Sequence, residues 1–422
     1  MAFQQGLSGL NATSKNLSVI GNNIANANTY GAKASRAEFA DMYANAMNGS
    51  GGNAIGIGVN LAAVTQRFTQ GNITTTESGL DIAINGNGFF QLDSGGTTVY
   101  SRNGQFQLDK DGNLVNGTGA KLLGYAANTD GAIIPSTVQA LRLPTAGVAP
   151  ASTTEVGLEL NLDSRVGGPA VALPFDPADP TSYNNATSVT VYDAKGQEMA
   201  LTFYFRKEDT VADPTLVDTW DVYMTANGQP MPAAGGPIID NMQFATDGGS
   251  MLSPAAPVPI TVDAGVPLTA GGASLQIDFD LDVGQATQYG AAFSVTDLTQ
   301  DGYAPGQLTG VSIDKTGIIK AQYSNGQSKA AGQLVLATFR NPQGLQPMGG
   351  NAWSASFGSG DPIIGAAGQG NFGLLQSGAL EESNVDLTAE LVNMITAQRA
   401  YQANAQSIKT EDQVLQTLVN LR

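Results

Sequence analysis

The chain has 422 residues, 42% of them apolar, and a net charge of −17 with only 19 Lys and Arg. That length supports two or three domains with cores of their own. So few cations exclude a nucleic-acid binder, which must displace phosphate counterions, and the absence of both Cys and His removes disulfides, thiolate metal sites and the commonest general base.

The N-terminal segment places Phe3, Leu10, Leu17 and Ile24 on a seven-residue spacing, with Leu7, Ile20 and Ala27 three or four residues away. Such spacing keeps one apolar stripe along a helix and asks for a partner helix. The stripe runs into "SVIGNNIANANTYGAKASR", where Asn22, Asn23, Asn26 and Asn28 crowd beside Gly31. Asparagine is a poor residue for a helix interior but a good one for bonding backbone groups at a helix end. Two readings stand: a plain Asn-rich loop, or amides that set register where the helix ends, with Gly31 allowing a sharp turn outward.

From Gly79 to Tyr125 short apolar runs are broken by NG, GG and DG pairs, the punctuation of β-hairpins. "DKDGN" at Asp109–Asn113 opens like a calcium loop, but Leu114 and Ala120 stand where Gly and Glu are required. It reads as a D-G turn. The glycine clusters, "NGNG" at Asn85–Gly88 among them, form no strand–GxGxxG–helix unit, so phosphate binding is not expected.

Residues 145–288 differ in composition. They hold 13 of the 19 prolines, and 18 Asp and Glu against Arg165, Lys195, Arg206 and Lys207. "SVTVYDAKGQEMALTFYFRKED" and "DTWDVYMTANGQP" read as a hairpin followed by a further strand. A second β-rich stretch returns at Gly306–Phe339. Two similar β segments around a long acidic middle indicate one domain interrupted by another.

The C-terminal segment repeats the heptad stripe with Leu387, Met394, Tyr401, Ile408 and Leu415, flanked by Leu391, Ala405, Leu418 and Val419. Ser383 and Asp386 supply capping chemistry before it. A helix of about 35 residues there would span roughly 50 Å. The fold class expected is a multidomain α+β chain: terminal α-helices pairing as a coiled-coil-like stalk, with two nested mainly-β domains. Its divisions are 1–30 with 380–422 (helical), 31–70 with 360–379 (connecting), 71–144 with 289–359 (discontinuous β), and 145–288 (inserted acidic β). The stripes either pair within one chain or serve assembly between chains. The carboxylate pairs Glu381–Glu382 and Glu411–Asp412 read as solvated faces. No catalytic constellation emerges, and no catalytic, cofactor or metal residue is assigned. A secreted carboxylate enzyme such as a glycosidase is the rival outside that reading.

At both ends the chain resembles the rod and hook family of bacterial flagellar axial proteins. The resemblance is carried by "GLSGLNATSKNLSVIGNNIANANTYGAK" and "NVDLTAELVNMITAQRAYQANAQSIKTEDQVLQTLVNL". "GLDIAINGNGFFQL" and "YSRNGQFQLDKDGNLV" are similar to the β-domain signature that hook and distal-rod members share. The large insertion, with "SYNNATSVTVYDAKGQEMALTFYF", looks like the hook branch; a distal-rod or junction member is the alternative. The resemblance implies a structural subunit, not an enzyme, that stacks with itself into a curved extracellular tube joining rod to filament and bending as a universal joint. It implies as partners the distal rod protein, the hook cap, the hook–filament junction proteins and the flagellar type III export apparatus. Export without a cleaved signal peptide would suit the first twenty residues, which lack a continuous apolar run. No stretch approaches 18 consecutive apolar residues, so membrane insertion is not expected. Phe39 and Tyr43, in "FADMY", match the spacing of the family's export-gate motif. The stripe residues would be the self-assembly surface.

Overall fold

The computed structural model describes residues 2–42, 56, 58–128, 131–144, 146–169, 174–208, 219–233, 235–245, 250–268 and 272–420. A helix stands at each end, α1 at Ala2–Ala25 and α2 at Leu387–Asn420, and nearly all regular structure between them is β. The α+β class, with two terminal helices and several β-sheets, is as expected. α2 starts at a true cap: the Asp386 carboxylate accepts from the backbone N–H groups of Thr388 (2.9 Å) and Ala389 (3.1 Å).

The described chain divides into two compact units. The first comprises Met1–Thr145, Gly310–Gln322 and Ser328–Arg422. Both helices belong to it, as does a hairpin of β1 (Ser35–Met42) and β2 (Gly58–Gln66), antiparallel with an irregularity between Glu38 and Phe39. Its main sheet has twelve strands around a core that includes Ile82, Phe90, Leu92, Leu122, Leu334 and Leu336. The incoming and outgoing stretches of chain run antiparallel beside each other. β3 (Ile73–Thr75) pairs with Ala379–Glu381, and Ile82–Asn85 pairs with Leu374–Ser377. A second cluster packs Phe68, Phe89, Tyr100, Phe339 and Trp353 edge to face, with centroids 4.8–6.0 Å apart. At Asp109 the carboxylate accepts from the N–H groups of Asp111 (2.9 Å) and Asn113 (2.8 Å), an Asx-type turn ahead of Gly112 at positive φ.

The second unit comprises Ala146–Thr309 with Tyr323–Gln327. It reaches past residue 288 because the strand Ser294–Gln300 pairs antiparallel with Glu155–Asp163, whose neighbours also include Ile277–Asp282 and Thr287–Tyr289, both parallel. A chain segment that completes a sheet belongs to that sheet's unit. The five-stranded sheet shares its core with a six-stranded one. Alternation is plain in the first sheet, where Val156, Leu158, Leu160 and Leu162 are buried. Trp220–Ala226 is buried along its whole length, so it carries a charged residue inside.

That residue is Asp221. Burial, aided by nearby Glu208 and Asp240, pushes its carboxyl up to about 7 even though it accepts a 3.0 Å hydrogen bond from the Asn241 N–H. The folded chain therefore holds this proton more tightly than the unfolded chain. The stability it contributes is complete below about pH 4 and is lost as pH rises through about 7. We expect Asp221→Asn, which keeps the acceptor and cannot ionise, to raise the melting temperature of the full chain at pH 8. The gain should vanish at pH 4; equal slopes of melting temperature against pH for both proteins would refute the assignment.

Candidate assembly site

α1 and α2 run antiparallel along each other. A Cβ added at Gly6 would lie 2.9 Å from Ile408, and one at Gly9 would lie 2.9 Å from the Asn404 amide. The Asn23 amide nitrogen, near the other end of α1, donates to Glu390 Oε1 at 2.9 Å. The two glycines let the helices approach where larger residues would hold them apart. Their apolar residues are only partly used by that approach. Ile20 and Ala397 are buried, each 5% exposed. Leu10, Leu17, Ile24, Met394 and Ile408 are half-buried. Phe3 (46%), Leu7, Leu387, Leu391 (45%), Tyr401 and Leu415 remain exposed. Val392, Ile395 and Val414 are exposed as well, and they lie off the heptad seam. Leu418 lies outside the residues whose side chains are described.

Where α1 ends, the chain is fastened by side chains distant in sequence. Asn23, 2% exposed, pairs with the Ser35 backbone in both directions, accepting its N–H and donating to its carbonyl at 2.8 Å each. Asn22 and Asn26 bond locally: the Asn26 amide donates to the Asn22 carbonyl at 2.9 Å. Gly31 has φ +71°, and a Cβ there would collide with the backbone at Arg102–Asn103. Its N–H donates to the Glu381 carbonyl at 2.8 Å. Among the four asparagines, then, only Asn23 is shown bonding across elements, while Asn28 is exposed.

The fastening centres on the Glu381 carboxylate, which is buried. Its Oε1 accepts from Lys33 Nζ at 2.5 Å and from the Gly71 N–H at 3.0 Å. Its Oε2 accepts from Arg102 at 3.2 Å. Lys33 also donates to the Thr69 carbonyl (2.9 Å), and Arg102 to the Gly86 carbonyl (2.9 Å) while lying 5.3 Å from the Phe89 ring centroid. Burial pulls both cations below their ordinary pKa values, and the Glu381 charge opposes that pull. Beside this cluster Asn384 accepts from the Ala34 N–H (2.7 Å) and donates to the Arg67 carbonyl (2.8 Å). Residues 31–34, 67–71, 102 and 381–384 are thus bonded to one another.

The structure corrects one expectation here. Glu381 is not a solvated member of a carboxylate pair but the most heavily partnered buried charge at the site. Sequence reasoning also passed over Lys33 and Arg102. The available signal was a lone cation in each of two otherwise uncharged motifs, "NTYGAKAS" and "YSRNGQ". Phe39 of the export-gate match is 41% exposed on β1; Tyr43 lies outside the described residues. Among the described residues no helix is long and apolar enough to cross a membrane.

Four family models match. Flagella basal body rod protein covers residues 3–33, the flagellar hook protein FlgE/F/G D1 domain 83–151, the flagellar basal body protein FlaE D2 domain 161–303, and the flagellar basal body rod FlgEFG protein C-terminal 376–421. The flagellar hook protein FlgE of Salmonella typhimurium is 44% identical over the whole of both chains, and that of Escherichia coli 43%. That of Borreliella burgdorferi is 32% identical over 100% of this chain and 99% of its own. A crystal structure of Helicobacter pylori flagellar hook protein FlgE2 aligns with TM-score 0.53 over 73% of this chain and 100% of that one. At 17% identity it speaks for the fold alone.

Removing one partner of a buried ion cluster strands the others, at a cost of about 3–5 kcal/mol. We expect Glu381→Ala to lose stability in that range by urea denaturation of the full chain. Asn23→Ala should cost less, roughly 1–3 kcal/mol, and should speed amide exchange mainly at Ser35 and the start of α2. Exchange accelerated evenly through the chain would refute that local role.

Proposed function

The chain belongs to the flagellar hook protein family, and we propose that it is the repeating structural subunit of a curved tube that joins rod to filament and bends as a universal joint. The observation that supports this most directly is the exposed apolar surface left on α1 and α2 after they have packed together. Burying one Leu or Ile side chain is worth roughly 1.5–3 kcal/mol. Ordering the backbone of one residue costs about 1–2 kcal/mol. A two-helix stalk whose seam is half in water therefore gains its full stability only when neighbouring copies cover it. In this reading α1 and α2 pair as a coiled-coil-like stalk, and Phe3, Leu7, Leu10, Leu17, Ile24, Leu387, Leu391, Met394, Tyr401, Ile408, Leu415 and Leu418 form the self-assembly surface, with Ile20, already buried within the chain, supporting it from beneath. Asn22, Asn23, Asn26, Asn28 and Gly31 set the register and turn at the stalk's end.

The same reading makes the division into terminal helices, connecting segments, a discontinuous β domain and an acidic insertion a mechanical one. The helices hold the tube together, while small wet contacts between the insertions break and reform as it bends. The proposed partners are the distal rod protein, the hook cap, the junction proteins and the export apparatus, which would recognise Phe39 and Tyr43 on a chain exported without a cleaved signal. No catalytic role is proposed.

Electron microscopy of basal bodies from a strain lacking the gene tests the assignment: complete rods and rings without hooks are expected. Truncated rods would make this a rod protein, and intact hooks lacking filaments a junction protein. In the purified monomer at low concentration, amides of α1 before Asn23 and of α2 beyond Glu390 should exchange within the fastest class and become protected on polymerisation. A dilute monomer with both helices already protected would contradict the account. Deleting 146–309, so that the strand Ser294–Gln300 leaves with the sheet it completes, should still give tubes, straight or misshapen; loss of all assembly would remove compliance from that region.

A further inference from the structure

Phe357 stands at the tip of a turn in the first unit and is fully exposed. The turn itself is tightly held. Ser356 Oγ donates to the Gly344 carbonyl (2.6 Å) and accepts from the Gly358 N–H (3.0 Å). Ser359, which is buried, donates to the Ser356 carbonyl (2.8 Å) and accepts from its N–H (2.9 Å). The Asn341 amide donates to the Gly358 carbonyl (2.9 Å), and Gly344 packs so closely on the backbone at Gly358–Ser359 that any side chain there would collide. A single exposed apolar residue is ordinary. A backbone this over-determined has already lost the loop freedom that binding would otherwise remove, so only the ring's own rotations remain to be fixed.

The same unit carries a recess of about 340 Å³ lined without any charged residue. Its apolar members include Val99 and Ala120, both buried, with Met348 and Ala352, and Asn116 and Thr118 stand beside them. A cavity of about 150 Å³ already holds benzene, so a phenyl ring fits, and Met348 offers a flexible, polarizable neighbour for it. Within one chain Phe357 does not enter this recess, since it is wholly in solvent. A knob and a socket on different patches of the same subunit make a heterologous contact, the kind that extends as an open helix instead of closing on itself. We propose that Phe357 of one subunit seats in the Val99–Met348 recess of a second copy of this chain. The inference rests on the reading of the chain as a polymer subunit and adds to it a contact outside the terminal helices.

The test is the critical concentration for polymerisation of the purified full-length chain, measured by sedimentation. Failure of the unmodified chain to polymerise would count against the subunit reading itself. Given that it polymerises, Phe357→Ala should raise the critical concentration by about tenfold or more, with monomer circular dichroism and melting temperature unchanged. A critical concentration equal to that of the unmodified chain would overturn the proposal. Because the chain has no cysteine, Gly358→Cys combined with Thr118→Cys gives a clean crosslinking pair that leaves Phe357 in place. Oxidation should yield a ladder of covalent oligomers from polymer and none from dilute monomer or either single variant. A raised critical concentration for Phe357→Ala without that ladder would overturn the choice of recess.

Discussion

One buried carboxylate holds this architecture together. A chain that leaves a helix, builds two β units and returns as a second helix must bring residues more than 300 apart into register at a single crossing. Apolar contacts do this poorly, since they are non-directional and tolerate slippage. Glu381 does it with direction: Lys33, Arg102 and the Gly71 N–H each approach a defined oxygen. Desolvating two cations and one anion is expensive, and such clusters are weak sources of net stability. Their value at this crossing is geometric. The antiparallel pairing of β3 with Ala379–Glu381 places the carboxylate, and the turn at Gly31 brings the cation-bearing segment onto it.

Above that crossing the design changes character. The cluster is dry and its partners are assigned one to one, whereas the stalk formed by α1 and α2 is left half wet. Asn23 marks the border, bonded to Ser35 on one side and to Glu390 of α2 on the other. From there outward the helices lie close, as at Gly6 against Ile408, yet leave apolar residues such as Phe3, Leu7 and Leu391 in water. A rigid base carrying an incompletely buried stalk puts the low-stability end of the molecule where neighbouring copies would meet it.

Much of this was legible in the residues. Heptad spacing located both helices, because a 3.6-residue period leaves an unmistakable stripe. The Asp386 cap and the Asp109 turn were readable because both are local, decided within four residues. The helix pairing was legible as a need for a partner, though not as which copy supplies it. What escaped was non-local. Glu381 looks like one of two adjacent carboxylates until Lys33 and Arg102 are folded against it, and nothing within a short window announces either partner. The extent of the second unit was hidden for the same reason: Ser294–Gln300 reads as an ordinary strand, and only its pairing with Glu155–Asp163 decides to which sheet it belongs. Val392, Ile395 and Val414 were overlooked because a seam fitted to one face ignores apolar residues on another.

The way the second unit begins and ends has a consequence for how such a chain can change. Close to where that unit starts and stops, Val148 is bridged to Gly306 and Ala151 to Tyr303. Everything between is a closed excursion whose two ends are already fixed side by side. Lengthening such an excursion costs the remainder little, since doubling a flexible closed loop adds only about 0.6 kcal/mol. The 151–303 stretch is therefore a cassette: an unrelated domain with adjacent termini could be spliced between the same two bridges, and the fold outside them would register little of its length.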